Sequence, residues 1–198
     1  MKTTLIPRTL VAIGLAVTLA VTLAVAFGDA GYAAADVPVG PGPTYYTVQS
    51  QPAPGTCHSR TAADGQALPD PDCTPGAVNP KVTQDTLATT VCRGGYTKSI
   101  RPPASITEIE KRDNAAAYGY TGSLKAVEYD HLVPLEVGGD PNDPRNLWIE
   151  PGASPNQKDG VESRLRELVC SGRVPLAAAQ EAIATDWSTA LEHVLGAG

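Results

Sequence analysis

The chain has 198 residues, 42% of them hydrophobic and 18% charged, with a formal net charge of −6. Those figures exclude a multidomain enzyme, a polytopic membrane protein and a strongly basic nucleic-acid coat, and leave one small domain with a tail. The apolar share is concentrated at the N-terminus, where residues 9 to 28 carry no charge.

Residues 1–35 read as a signal peptide. Lys2 and Arg8 supply the positive end, Val11 to Phe27 the apolar stretch, and Ala33-Ala34-Ala35 the small residues of a cleavage site. The apolar stretch is long for a signal and close to a minimal membrane span, so an uncleaved anchor is the alternative to secretion. Losing Lys2, Arg8 and Asp29 takes the net charge to −7. No integral membrane partner is implied, and the chain is expected to be a monomer.

Residues 36–78 read as a flexible segment. Val37-Pro38-Val39-Gly40-Pro41-Gly42-Pro43 and Leu68-Pro69-Asp70-Pro71-Asp72 break helices and strands, and few large side chains are present to repay ordering entropy. A domain is expected over 79–198. A short helix is expected from Thr83 to Cys92, stopped by Gly94-Gly95, and Tyr96 to Ile100 reads as extended. Thr107 and Glu110 suggest a capping box for a helix running to about Tyr118. Strands follow over Tyr129–Leu135 and Asn146–Ile149, with a Gly138-Gly139 turn between them. Helices are expected from Gln157 to Cys170, and from Pro175 to about Val194.

Export places Cys57, Cys73, Cys92 and Cys170 in an oxidising compartment. Four cysteines allow three pairings. Cys57–Cys73, a local loop, and Cys92–Cys170, joining two predicted helix ends, are the favoured pair. No two cysteines have the close spacing of a zinc knuckle.

Charge is uneven in the domain: residues 81–125 carry a net +3 and residues 126–163 a net −6. The acidic stretch holds Glu128-Tyr129-Asp130-His131-Leu132-Val133-Pro134-Leu135, the double glycine, Asn146-Leu147-Trp148 and Asn156-Gln157-Lys158. His131 is the one of three histidines flanked by an acid, an apolar strand and a glycine turn.

From Tyr129 to about Cys170 the chain resembles the HNH nucleases, whose fold is two strands and a helix around one divalent ion. It also resembles small secreted actinobacterial proteins with HNH-like features, through Arg101-Pro102-Pro103, Asp130-His131-Leu132 and Asn146-Leu147-Trp148. The resemblance implies an α+β fold with a small ββα-metal core, here flanked by helices and stapled by disulfides. It implies a metal-dependent endonuclease acting on nucleic acid, DNA ahead of RNA. Asp130 and Asn156 would hold the ion, with Glu162 or Asp159 as substitutes for Asn156. His131 would be the general base and Asn146 would steady the loop that carries it. Asn156 as a plain helix N-cap is the competing reading.

The chemistry agrees with the resemblance. Hydrolysing a phosphodiester needs a proton acceptor near neutral pH, which a histidine provides. Carboxylate and amide oxygens suit Mg²⁺ or Mn²⁺ better than Zn²⁺. Lys158 and Arg145 are candidate phosphate contacts, with salt bridges as the alternative. Two facts stand against this reading: the net charge disfavours polyanion binding, and adjacent strand residues such as Asp130 and His131 point to opposite faces. The alternative function is a catalytically silent secreted or cell-surface binding protein on the same scaffold.

Overall fold

In the computed structural model, which describes Met1 and residues 36–196, two short antiparallel hairpins are surrounded by helices. The leader expected over 1–35 and its cleavage site lie outside the described residues, apart from Met1. The fold is α+β, and both disulfides have the favoured pairing, Cys57–Cys73 and Cys92–Cys170.

The first hairpin is minimal: β1 (Arg60–Thr61) pairs with β2 (Ala67–Leu68). A single helical turn, α1 (Tyr96–Ser99), replaces the extended segment expected there, because Gly95 adopts φ +80° and turns the chain into it. Helix α2 (Ala104–Ala117) begins directly after Pro103. Thr107 and Glu110 therefore lie inside the helix rather than forming its cap, and Glu110 is fully buried. The segment Gln84–Thr89 is a 3₁₀ helix.

The second hairpin pairs β3 (Val127–His131) with β4 (Leu147–Pro151), in the register Glu128 opposite Glu150, Asp130 opposite Trp148, and His131 opposite Leu147. β3 stops at His131 rather than Leu135, and Leu135–Val137 is a 3₁₀ turn. Helix α3 (Gln157–Cys170) has the bounds expected from its caps. The expected last helix is two, α4 (Leu176–Thr185) and α5 (Ala190–Gly196).

The main core joins Val133, Leu135 and Val137 of the hairpin loop to Leu165, Leu168 and Val169 of α3, and to Ala179 and Ile183 of α4. A smaller cluster, Ala115, Val127 and Ile149, fixes α2 against the second hairpin, and Asn114 Oδ1 accepts from the backbone N–H of Ile149 at 2.9 Å.

Residues 36–78 belong to the same compact unit as the rest of the domain. The break expected at residue 78 is absent: the segment packs on the domain through Leu68 and Ala62, which join the main core with Val37 and Val78 against it, and through hydrogen bonds. Gly76 N donates to Arg145 O at 2.9 Å and Cys57 N to Ala117 O at 3.0 Å. Gln49 N donates to Glu110 Oε1 at 2.7 Å, and Gly42 N to the buried Asp140 Oδ2 at 2.6 Å. The small residues are needed for this approach, since a Cβ on Gly40 would stand 2.3 Å from Asp140 Oδ2.

Cys92–Cys170 closes 78 residues and Cys57–Cys73 closes 16. From loop closure, removing the long bridge should cost about 4.5 kcal/mol and the short one about 3 kcal/mol. Urea unfolding of the two Cys→Ala double variants checks the order; equal losses would show that chain entropy is not the dominant effect.

Candidate functional site

The loop joining β3 to β4 is built around two requirements. Gly138 sits at φ +82°, and a Cβ on Gly139 would fall 1.7 Å from the carbonyl oxygen of Val133, so the double glycine is sterically demanded. The loop is then tied by Asn146, which is fully buried. Its Nδ2 donates to the carbonyls of Val133 and Asp140, both at 2.9 Å. Its Oδ1 accepts from Val133 N at 2.9 Å and Ala77 N at 3.2 Å. The amide's two hydrogens and two lone pairs are all used. Asn146 thus ties the two ends of the loop that follows His131.

That loop delivers the carbonyl of Pro141 to His131, 3.0 Å from Nε2. A carbonyl only accepts, so Nε2 carries the proton and Nδ1 keeps the lone pair. The ring is 6% exposed. Burial pushes its pKa down to about 4, against the opposing effects of Asp130 and the Pro141 carbonyl. The imidazole is therefore neutral at physiological pH. It lines a cleft of about 330 Å³ together with Arg101, Thr107, Lys111 and Glu128.

Asp130 turns the other way. β3 remains a regular strand through His131, so neighbouring side chains leave on opposite faces. Asp130 Oδ2 accepts from Lys158 Nζ at 2.6 Å. The same ammonium donates to Glu162 Oε1 at 2.5 Å, one helical turn along α3, and to the backbone carbonyl of His131 at 2.8 Å. Lys158 is 1% exposed. Burial alone would lower its pKa, but Asp130, Glu162 and Glu150 raise it, so it is charged. One ammonium stands near three carboxyl groups and hydrogen-bonds two of them. Glu150 is accordingly pushed up to about 9, first by burial and then by Asp130, and stays protonated at neutral pH. Burial also raises Glu162, against the pull of Lys158.

Three expected roles change here. Lys158 does not reach a phosphate, because its three donors are spent inside the fold. Asn156 is the N-cap of α3: its Oδ1 accepts from Lys158 N at 2.9 Å and Asp159 N at 3.4 Å, and Asp159 Oδ2 accepts from Asn156 N. Arg145 is also displaced from the cluster. It makes a two-pronged pair with Asp143 and donates to Val39 O.

The divalent ion implied by the resemblance does not fit the pair assigned to it. Asp130 Oδ2 is directed at the ammonium of Lys158, and the Asn156 amide oxygen at two backbone amides. Among the described residues, no three His, Cys, Asp or Glu side chains are grouped to hold a metal ion. Sequence reading missed Glu150 as a member of the cluster. The position of Glu150 follows from strand register opposite Glu128, and the i,i+4 spacing of Lys158 and Glu162 was a usable signal. Comparison with protein-family models, curated proteins and solved structures returned no match.

Two outcomes are expected. Asn146→Ala leaves buried backbone groups unpaired and should cost about 3 kcal/mol or more in urea unfolding; a loss under about 1 kcal/mol would show that the loop is held by other contacts. The second outcome concerns pH. Stability from the raised Glu150 is fully present below the unfolded carboxyl's value of about 4.3, and is lost as pH rises through about 9. The lowered His131 acts oppositely: its contribution is present above the unfolded value of about 6.5 and is lost as pH falls through about 4. Between about pH 6.5 and about 9 the carboxyl effect acts without the histidine, so the Tm should fall across that range. Glu150→Gln should lessen the fall, leaving the share that comes from the raised Glu162, and an unchanged slope would remove Glu150 as a source.

Proposed function

We propose that the chain is an exported hydrolase of nucleic-acid phosphodiesters, of the ββα class it resembles, acting from the cleft beside His131. The observation that carries this reading is the neutral imidazole of His131, fixed through Nε2 by Pro141 and lining a cleft that also holds Arg101. In this reading Nδ1 takes a proton from a water that adds to phosphorus, while the bond to the leaving nucleoside oxygen breaks and that oxygen is protonated from solvent. Arg101 offsets charge gathering on the phosphoryl oxygens. Asn146 and Pro141 keep the ring in one tautomer and orientation.

DNA is the substrate placed first and RNA second. Export rests on the sequence of the leader, and the two disulfides suit an oxidising compartment. Among the described residues no helix is long and apolar enough to cross a membrane.

A second reading, a silent exported binding protein on the same scaffold, is favoured by one observation. Lys158 fills the oxygen nest, and the Asn156 amide oxygen is committed to the helix cap.

The oxidised protein, assayed with Mg²⁺, with Mn²⁺ and with EDTA, should nick plasmid DNA or degrade single strands in at least one condition. His131→Ala should slow cleavage by about two to four orders of magnitude, while His193→Ala, at an exposed position on α5, should leave it unchanged. The base must be neutral, so the rate should rise with pH around 4 and be flat through neutrality, rather than rising near the ordinary histidine value. A folded His131→Ala protein that cuts at the wild-type rate would remove His131 as the base. No cleavage of any nucleic acid would install the binding-protein reading instead.

A further inference from the structure

We infer that Lys158 is a built-in cation standing where the resemblance reserves a place for a divalent ion, so that this chain's site works without a metal. The inference rests on the ββα reading above, and the geometry of the nest supports it independently of any substrate.

Three oxygens converge on Nζ: Asp130 Oδ2 at 2.6 Å, Glu162 Oε1 at 2.5 Å and His131 O at 2.8 Å. An ammonium has three donors, and each has a partner. Two of these contacts are shorter than the usual charge-assisted hydrogen bond, and all are longer than the roughly 2.0–2.1 Å at which Mg²⁺ draws oxygen. The side chain is 1% exposed, so a divalent ion would have to expel a buried like charge to enter. Lys158 and Glu162, four residues apart on α3, both face Asp130, so the nest is fixed by helix register.

The other expected ligand is committed as well. The Asn156 amide oxygen caps α3 through Lys158 N and Asp159 N, and turning it toward an ion would open the first turn of the helix that carries Lys158.

The test is metal binding, with no nucleic acid present. Wild-type protein titrated with Mn²⁺ to about millimolar, a range that covers weak hard-cation sites, should show no calorimetric or EPR signal that Asp130→Asn removes, and EDTA should leave its Tm unchanged. Lys158→Met uncovers the oxygens and should gain Mn²⁺ binding at least about tenfold tighter than wild type, a margin of about 1.4 kcal/mol; adding Asp130→Asn should abolish it. Binding of Mn²⁺ or Mg²⁺ by wild type that Asp130→Asn removes would overturn the inference. So would a folded Lys158→Met protein that binds no more Mn²⁺ than wild type. If Lys158→Met does not fold, the wild-type titration against Asp130→Asn decides alone. Cleavage that persists in EDTA would support the inference; cleavage that EDTA stops would overturn it and leave the nuclease reading standing.

Discussion

The side-chain amide of Asn146 makes four hydrogen bonds where water does not reach, and the shape of the site follows from them. Two go to Val133, at the start of the loop after β3, one to Asp140 near its end, and one to Ala77 in the N-terminal segment. Asp140 then collects Gly42 N, Asn142 N and Asp143 N on its buried carboxylate. The loop thereby sets Pro141 opposite His131. A glutamine is too long for this frame, and an aspartate would present an acceptor to two carbonyls. The double glycine serves the same frame, because the loop passes too close to Val133 for a side chain at Gly139.

The second constraint is electrostatic. A lysine at 1% exposure is costly to bury unless each of its protons is met. Here each is, so the pair counts less as a source of stability than as a fixed geometry between β3 and α3. Removing either partner would strand the other, which generally costs about 3–5 kcal/mol. The surplus of carboxyl groups also bears on the overall negative charge. Burial and proximity keep Glu150 protonated at neutral pH, so the cluster carries less negative charge than its composition suggests. Residues 81–125, the positively charged part of the domain, supply Arg101 and Lys111 to the cleft.

Legibility from sequence followed the kind of force involved. Helix α3 was readable to the residue because its start is a capping box and its end is followed by Gly172. The same cap signal competed with the ligand role of Asn156, and the cap is what the fold uses. The start of α2 was misplaced because Thr107 and Glu110 imitate a capping box, whereas Pro103 ends the preceding extended chain and the helix starts after it. The N-terminal segment was illegible for another reason. Its apolar residues are few, but Leu68 and Ala62 enter the main core, and its backbone amides donate to Glu110, Asp140 and the carbonyls of Arg145 and Ala117. No periodicity in the sequence announces such bonds. The disulfide pairing was legible from helix ends and local spacing.

The two-residue period of a strand finally decides what Asp130-His131 can be. A site with both side chains on one side requires a kink, and β3 has none before His131. The pair is therefore divided: the imidazole faces the cleft with Arg101, and the carboxylate faces α3 with Lys158 and Glu162. The halves meet only through the main chain, where the Lys158 ammonium donates to the carbonyl of His131 at 2.8 Å. That bond anchors the backbone of the residue whose ring is anchored by Pro141, so His131 is fixed at both ends. For the proton transfer proposed above, a mobile histidine would sample rotamers first, whereas one held by a buried ammonium and a loop carbonyl would start in position. In the hydrolase proposed above, the charged cluster would act by placing the imidazole, without touching whatever enters the cleft.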